Sequence, residues 1–150
     1  MTQIFVEDIN ILRQPCERVK SYEDGKKIAD ELFLILKSSK GGIGLAANQV
    51  GINKKVCVVN VLTPTYFINP IIIESSGLIY FNEGCLSFPG QIVRTERYSE
   101  ILVKADNFSS PKSFNFRESL LECVCVQHEI DHLSGITMYD RQYKEKRDGC

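Results

Sequence analysis

The feature that most constrains this chain is the stretch CVCVQHEIDHLSG at residues 123–135. It lies within residues 116–134, where apolar side chains recur at the i, i+3, i+4 and i+7 spacing of a helix with one buried face. The stripe on that face consists of Leu121, Val124, Cys125, His128 and His132. Gly135 follows, where a helix commonly ends. The spacing predicts a helix over 116–134 that carries the chain's only two histidines into the interior.

A second helix and several strands are predicted around it. Residues 22–38 place apolar side chains mostly on one face, Ser21 and Asp24 resemble a capping box, and Gly41 follows the last periodic residue. Segments rich in β-branched and aromatic residues predict strands at 54–61, 65–77 and 91–108. The second of these is broken around Asn69, because the proline that follows cannot donate a backbone hydrogen bond.

This order of elements indicates the fold class. A helix, several strands and a second helix, without regular βαβ alternation, favour an α+β fold. We predict antiparallel or mixed β-sheets packed around a central helix that carries the HExxH motif. The 150 residues contain no repeat or linker, so a single domain is predicted for residues 1–150.

The composition excludes several kinds of partner. Eighteen basic and nineteen acidic residues give a net charge of −1, so no nucleic acid or anionic membrane is expected to bind. No apolar run approaches the roughly 20 residues that cross a bilayer, and the N-terminus resembles no secretory signal. A cytoplasmic location with six free thiols is therefore expected. Cys57, Cys123 and Cys125 are predicted to pack in the core, and Cys16 and Cys150 to be peripheral.

The HExxH spacing suggests a metal site. His128 and His132 lie four residues apart on one helix face, so both can bind one metal ion from the same side. Glu129 projects about 100° round the helix and can act as general base and acid. The alternative is an amphipathic helix with two incidental histidines. A catalytic metal site also needs a third protein ligand.

Two sources for that ligand are open. A metallopeptidase of the zincin type would supply it downstream, where only a polar tail follows, with the acids Asp140, Glu145 and Asp148. Upstream, Cys85 lies in the segment YFNEGCLSFPG, residues 80–90, between turn-forming residues. A thiolate is a good ligand for zinc or ferrous iron, and two imidazoles with one thiolate leave a fourth position open for water. Taken alone, Cys85 would be read as a buried core thiol.

Three segments together resemble one known family. GIGLAANQ at 42–49, EGCLS at 83–87 and HEIDH at 128–132 occur in the order in which peptide deformylases carry G-φ-G-φ-A-A-x-Q (φ apolar), E-G-C-L-S and H-E-x-D-H. That family is a set of metal-dependent hydrolases that remove the formyl group from the N-terminal formylmethionine of nascent chains. The resemblance implies an α+β fold, in agreement with the pattern of elements.

The resemblance also assigns roles. The metal ligands would be Cys85, His128 and His132, holding one divalent ion: ferrous iron in the cell, with nickel, cobalt or zinc accepted in purified protein. Glu129 would exchange protons with the metal-bound water and the leaving amine. Gln49 and the backbone N–H of Leu86 would hold the formyl oxygen and stabilise the oxyanion.

Further residues are expected around this centre. An apolar pocket for the substrate's methionine would be formed by Ile43, Gly44, Phe81, Gly84, Leu121, Val124 and Cys125, although each apolar member could equally be ordinary core. Glu83 and Arg97 resemble an ion pair of the family that braces the cysteine segment, and Asp131 is expected to accept a hydrogen bond nearby.

The chain departs from many relatives in two places. A short charged tail, MYDRQYKEKRDGC, stands where many members have a longer C-terminal element, so ribosome docking through such an element is not expected. This trimmed form is similar to deformylases encoded by bacteriophages. Gly90 and Ile92 replace a glutamate and an arginine of some members, so peptide selectivity is expected to differ. The expected partners are N-formylmethionyl nascent peptides in a bacterial cytoplasm.

Two alternatives to the deformylase interpretation remain open at this point. One is another metal-dependent amide hydrolase or peptidase. The other is a non-enzymatic metal- or peptide-binding protein with a degraded site, against which stands the presence of a suitable residue at every expected catalytic position.

Overall fold

The computed structural model of the chain describes residues 5–144. Within them, α-helices lie at Ile9–Leu12 (α1), Tyr22–Ser38 (α2) and Phe116–Leu133 (α3), and 3-10 helices lie at Ala47–Val50 and Met138–Arg141. The strands are Gly44–Ala46 (β1), Val56–Asn60 (β2), Pro64–Ile68 (β3), Ile71–Ser76 (β4), Ile79–Cys85 (β5), Phe88–Arg97 (β6), Glu100–Lys104 (β7) and Lys112–Asn115 (β8). No helix in this part of the chain combines the length and apolarity needed to cross a membrane.

The strands form three antiparallel sheets with the orders β1-β2-β3, β4-β7-β8 and β5-β6. Helix α3 contacts β1 and β2 on one side and β7 and β8 on the other. Its side chains share a buried core with residues of both sheets, such as Phe67 and Phe114. Helix α2 covers the other face of the first sheet through Leu32 and Leu36. The predicted α+β architecture around a central HExxH helix is confirmed.

Helix α2 begins and ends close to the predicted positions. Ser21 accepts a hydrogen bond from the Asp24 backbone N–H at 3.2 Å, and Glu23 and Asp24 lie in the first turn, where the helix dipole favours negative charge. The helix ends at Ser38, and Gly41 adopts φ 76°, a left-handed conformation that glycine accepts without strain.

Helix α3 differs from its prediction in two ways. Its backbone is interrupted at Ser119, which is extended (φ −166°, ψ 113°) and whose hydroxyl accepts from the Glu122 N–H at 3.1 Å, so the helix is capped a second time there. From Glu122 to Leu133 every residue is buried, because the helix lies between two sheets rather than on one. Leu121, predicted to point inward, is 41% exposed.

Several strands were not predicted, and one expectation about a cysteine needs correction. The segment 80–90, where only turn-forming residues beside Cys85 were noted, forms most of β5 and the start of β6, because cross-strand pairing such as Glu83 with Val93 outweighs weak local β-propensity. The short strands β1 and β8 were also not predicted. Cys16 is buried rather than peripheral, and its N–H donates to the carbonyl of Leu133 at 2.9 Å. Cys150 lies outside the described residues.

Candidate metal centre and active site

The fold brings a thiol and two imidazoles to one point. Cys85 is the last residue of β5, just after an irregularity in its pairing with β6, and His128 and His132 are one turn apart on α3. The Cys85 Sγ lies 3.4 Å from His132 Nε2, which lies 3.2 Å from His128 Nε2. Within residues 5–144 this is the only group of three His, Cys, Asp or Glu side chains close enough to share a metal ion.

These separations fit a metal ion. Bonds of about 2.0–2.1 Å to nitrogen and about 2.3 Å to sulfur in a tetrahedral arrangement place two nitrogens about 3.3 Å apart and a nitrogen about 3.6 Å from a sulfur. The observed distances are close to both values. Imidazole with thiolate is a donor set for zinc or ferrous iron rather than for magnesium or calcium. Three protein ligands leave a coordination position for water, as a catalytic site requires.

The electrostatic surroundings of the two imidazoles differ. Burial opposes a charge on His128, but Glu129 and Cys85 beside it raise its pKa well above the usual range. Burial and the charge of His128 lower the pKa of His132 well below its usual range. The pocket therefore stabilises a positive charge but not two protonated imidazoles 3.2 Å apart. A divalent ion held by two neutral imidazoles would place positive charge in the pocket without requiring both rings to be protonated.

The downstream acids do not approach this point in the described part of the chain. Asp140 accepts a hydrogen bond from the N–H of Thr137 at 2.9 Å and is absent from the cluster of ligand atoms. Glu145 and Asp148 lie outside the described residues. No third ligand of the kind that a zincin-type peptidase would use is therefore found within residues 5–144.

Glu83 orients one of the imidazoles. Its Oε1 lies 2.7 Å from His128 Nδ1. Arg97 donates two hydrogen bonds to the same carboxylate, from Nε at 2.6 Å and from Nη2 at 2.8 Å. Burial by itself would raise the pKa of Glu83, but the contacts with Arg97 and His128 outweigh it and lower the pKa to about 2. A permanently charged Glu83 holds the His128 ring with its Nε2 facing the cluster.

A charged network continues from Arg97 to the surface. Arg97 also contacts Asp131, and Arg141 binds both oxygens of Asp131 at 3.0 and 3.1 Å. Arg141 was not predicted, because nothing in its polar tail segment indicates a buried partner. Thr95, which donates to Glu83, was missed as well, although it alternates with Val93 and Arg97 on the buried face of β6.

Glu129 lies beside the ligands, buried and with one carboxylate oxygen, Oε1, lacking any hydrogen-bond partner among residues 5–144. Burial raises its pKa to about 7 despite the opposing charge of His128. A carboxyl group with this pKa can both accept and donate a proton near neutral pH. A Cβ added to Gly44 would lie 2.5 Å from Glu129 Oε2, so a glycine is required there to leave room for the carboxylate.

Gln49 points its amide nitrogen toward the same centre. Its Oε1 accepts from the N–H of Ala46 at 2.9 Å, and its Nε2 lies 3.2 Å from Ser87 Oγ and 3.4 Å from Cys85 Sγ. The preceding residue, Asn48, was not predicted to contribute. Its Nδ2 donates to the backbone carbonyl of His132 at 2.8 Å and so ties the Gln49 segment to the end of α3.

An open cavity of about 420 Å³ leads to these groups. Its lining includes Gln49, Cys85, Leu86, His128 and Glu129, and also every predicted pocket residue: Ile43, Gly44, Phe81, Gly84, Leu121, Val124 and Cys125. Polar reacting groups at one end and apolar side chains along the wall are the usual composition of a small-molecule or peptide site.

Comparison with known proteins agrees with this geometry. The family model described as polypeptide deformylase matches residues 1–148. The chain belongs to the polypeptide deformylase family. It is 40% identical over 144 residues to the peptide deformylase of Prochlorococcus marinus (strain NATL1A), an alignment that covers 90% of this chain and 70% of that protein.

Solved deformylases share the fold. The structure of peptide deformylase from Thermotoga maritima matches with a TM-score of 0.85 and 32% identity, covering 96% of this chain and 99% of that one. The PDF from the Vibrio parahaemolyticus bacteriophage VP16T, solved in complex with actinonin, matches with a TM-score of 0.80 and 34% identity, covering 90% and 98% of the two chains. The predicted resemblance to peptide deformylases is therefore confirmed.

Proposed function

We propose that residues 1–150 form one catalytic domain, a metal-dependent hydrolase that removes the N-formyl group from the formylmethionine of newly made polypeptides. The observation that carries this proposal is the meeting of the Cys85, His128 and His132 donor atoms with Glu129 and the Gln49 amide at one end of an apolar cavity. We infer that the three donors hold one divalent ion, which when bound supplies Lewis acidity and a nucleophilic water near neutral pH.

The residues of the chain move the protons and stabilise the charge. A carboxylate oxygen of Glu129 accepts a proton from the attacking water and then donates it to the methionine nitrogen as the C–N bond breaks, so the products are formate and a free amine. Gln49 Nε2 and the backbone N–H of Leu86 are the donors for the oxygen of the tetrahedral intermediate. Gln49 is fixed by Ala46 before substrate arrives, so its donor needs little reorganisation.

The wall of the cavity suits a methionine side chain. Ile43, Phe81, Val124 and Cys125 supply apolar surface beside the reacting end, and Leu121, being half-exposed, lies toward solvent. Gly44 and Gly84 present backbone without side chains, which leaves room for an extended peptide to pair with the main chain. We infer that N-formylmethionyl nascent peptides in a bacterial cytoplasm are the natural substrates.

The first experiment measures formate release from formyl-Met-Ala by metal-loaded protein, beside acetyl-Met-Ala and a longer unblocked peptide. Formate release with little attack on the acetylated analogue is expected. Folded, metal-loaded protein that releases no formate would contradict the proposal, and cleavage of internal peptide bonds would favour a metallopeptidase.

A matched pair of variants tests the role of Glu129. In Glu129→Gln, we expect bound metal to be retained and turnover to fall by roughly 10²–10⁴-fold, because proton transfer is lost while the ligands remain. Glu122→Gln is the control, since Glu122 is an equally buried acid on the same helix that lies outside the cavity lining. Full turnover in Glu129→Gln would exclude Glu129 as the acid/base.

We infer that the metal is ferrous iron in the cell and that nickel, cobalt or zinc can replace it in purified protein. The thiolate of Cys85 and ferrous iron are both oxidisable, so peroxide should inactivate the iron form faster than the nickel form. Equal rates of inactivation, followed with metal content and formate release, would contradict this expected difference between the two metal forms.

A further inference from the structure

The cavity lining includes one charged side chain, Lys40, that the proposed reaction does not use. From Gly44, which abuts Glu129, the lining runs back through Ile43, Gly42 and Gly41 to Lys40. Lys40 follows the end of α2 and is exposed to solvent. Among the lining residues 40–44, Lys40 is the one furthest along the chain from Gly44, which abuts Glu129.

Lys40 is also the cavity's uncompensated charge. Of the two carboxylates in the lining, Glu83 is neutralised by Arg97, and Glu129 lies at the reacting end. Lys40 is the only lysine or arginine in the lining, and within residues 5–144 it has no ion-pair partner. Lys40 therefore adds a positive charge to the lining that no described acid neutralises through an ion pair.

The length of the segment indicates which part of a substrate would meet this charge. Three residues lie between Lys40 and Gly44, so the two are four steps apart along the chain, a span of at most about 14 Å at about 3.3–3.6 Å per residue. An extended peptide advances by about 3.3 Å per residue. With its formyl group beside Glu129, a substrate would bring its third or fourth residue near Lys40.

The lining residues from the end of β5 and the start of β6 do not offset the charge. Gly84, Pro89 and Gly90 line the cavity and carry no ionisable group. Ile92, 69% exposed, lies next to Gly84, with its Cδ1 3.5 Å from where a Cβ on Gly84 would be. A charged substrate side chain leaving the cavity would therefore interact chiefly with Lys40.

We propose that Lys40 is a specificity-determining residue that favours formylmethionyl peptides with Asp or Glu at the third or fourth position. This rests on the proposed function. Because the contact lies far from the reacting bond, it forms equally in the ground and transition states and acts mainly on KM. Exposed ion pairs alter binding by about 1.5- to fivefold. Because Lys40 would attract an acidic peptide and also repel a basic one, the ratio of kcat/KM between the two peptides should be about three- to tenfold.

The test compares two peptides, formyl-Met-Ala-Asp-Ala and formyl-Met-Ala-Lys-Ala, with a second pair that moves the charge to the fourth residue. All are C-terminally amidated, so the test side chain is the only difference in charge. The measured quantity is the ratio of kcat/KM for the acidic peptide to that for the basic one. We expect a ratio above about 3 for the wild type, a lower one for Lys40→Met and an inverted one for Lys40→Glu. High salt should weaken the preference, since the Debye length is only about 3 Å at 1 M.

Lys37→Glu is the matched control. Lys37 is exposed in the last turn of α2 and does not line the cavity, so its reversal makes the same change in net charge without touching the site. We expect this variant to keep the wild-type ratio. A thermal melt of each variant checks that both remain folded.

Two results would overturn the inference: a ratio that Lys40→Glu leaves unchanged for both peptide pairs, or a shift of the same size in Lys37→Glu. Failure of the proposed function gives a different result, because wild-type protein would then release no formate from any of the peptides. If formate is released but the ratio does not depend on the charge at residue 40, only the proposed role of Lys40 is refuted.

Discussion

Replacing Arg97 by Met should destabilise the protein strongly. The Arg97 side chain is 2% exposed and contacts both Glu83 and Asp131, whereas Met keeps a stem of similar length without the charge. The substitution leaves two buried carboxylates without the cation that they share. Asp131 retains Arg141, but Glu83 keeps only Thr95 and His128.

The magnitude follows from that burial. Removing one partner of a buried ion pair costs about 3–5 kcal/mol, because the remaining charge is desolvated and unpaired. Arg97 is one of the groups that lower the pKa of Glu83 to about 2 from an ordinary 4.5, so its loss also weakens the charged form of that carboxylate. For a chain of this length the melting temperature should fall by about 10 °C.

The assay is urea unfolding of wild type and variant at pH 7, each at the same saturating concentration of nickel, because metal binding itself adds stability. Arg94→Met is the control: Arg94 is exposed on the same strand, donates to Asn82 at 3.3 Å and lies 5.8 Å from the centre of the Tyr80 ring, so a change within about 0.5 kcal/mol is expected.

A double variant separates charge from packing. Adding Glu83→Gln to Arg97→Met removes the orphaned charge but keeps an oxygen that can accept from His128, so part of the lost stability should return. The reasoning is refuted if Arg97→Met unfolds at the wild-type midpoint. It is also refuted if the double variant is no more stable than Arg97→Met alone.

Three further predictions concern the site and the buried thiols. Gln49→Leu should lower kcat by about 10²–10³-fold with little change in KM, and an unchanged kcat would remove Gln49 from oxyanion stabilisation. Gly44→Ala should lower turnover while the fold is kept, because the added methyl would overlap the Glu129 carboxylate; wild-type kinetics would show that the overlap is relieved. Burial shields Cys16 and Cys123 and raises their pKa from 9 to about 11, so at pH 9 both should be alkylated more slowly in folded protein than in urea-unfolded protein. Equal rates in the two states, followed by peptide mass analysis, would contradict this expectation.

The sequence predicted the two long helices, α2 and α3, well because their signals are local, whereas the four-residue helix α1 was not predicted. Ser21 and Asp24 are neighbours on the chain, and the apolar spacing of residues 116–134 repeats within a few turns. The same locality placed His128, Glu129 and His132 correctly relative to one another. Spacing four residues apart on a helix fixes the direction of two side chains before any tertiary contact forms.

Features that depend on contacts between residues far apart in the sequence were predicted less well. The segment around Cys85 has the composition of a turn, yet it forms a strand because β6 pairs with it along its length. Ser119 interrupts a helix whose periodicity continues on both sides. Asn48 and Arg141 gave no signal, since their partners lie across the fold: Asn48 donates to the backbone of His132, 84 residues away.

The sequence alone determined that His128 and His132 share one helix face and, through three ordered motifs, predicted Cys85 as the third ligand. Tertiary structure alone decided that Cys85 reaches His132 across 47 residues at 3.4 Å and that Glu83, Arg97, Asp131 and Arg141 join in one charged chain behind it. The physical reason is the separation of the interacting residues along the chain. Helical periodicity depends on residues a few positions apart, whereas the distance between a strand end and a helix face is set by the packing of both sheets against α3.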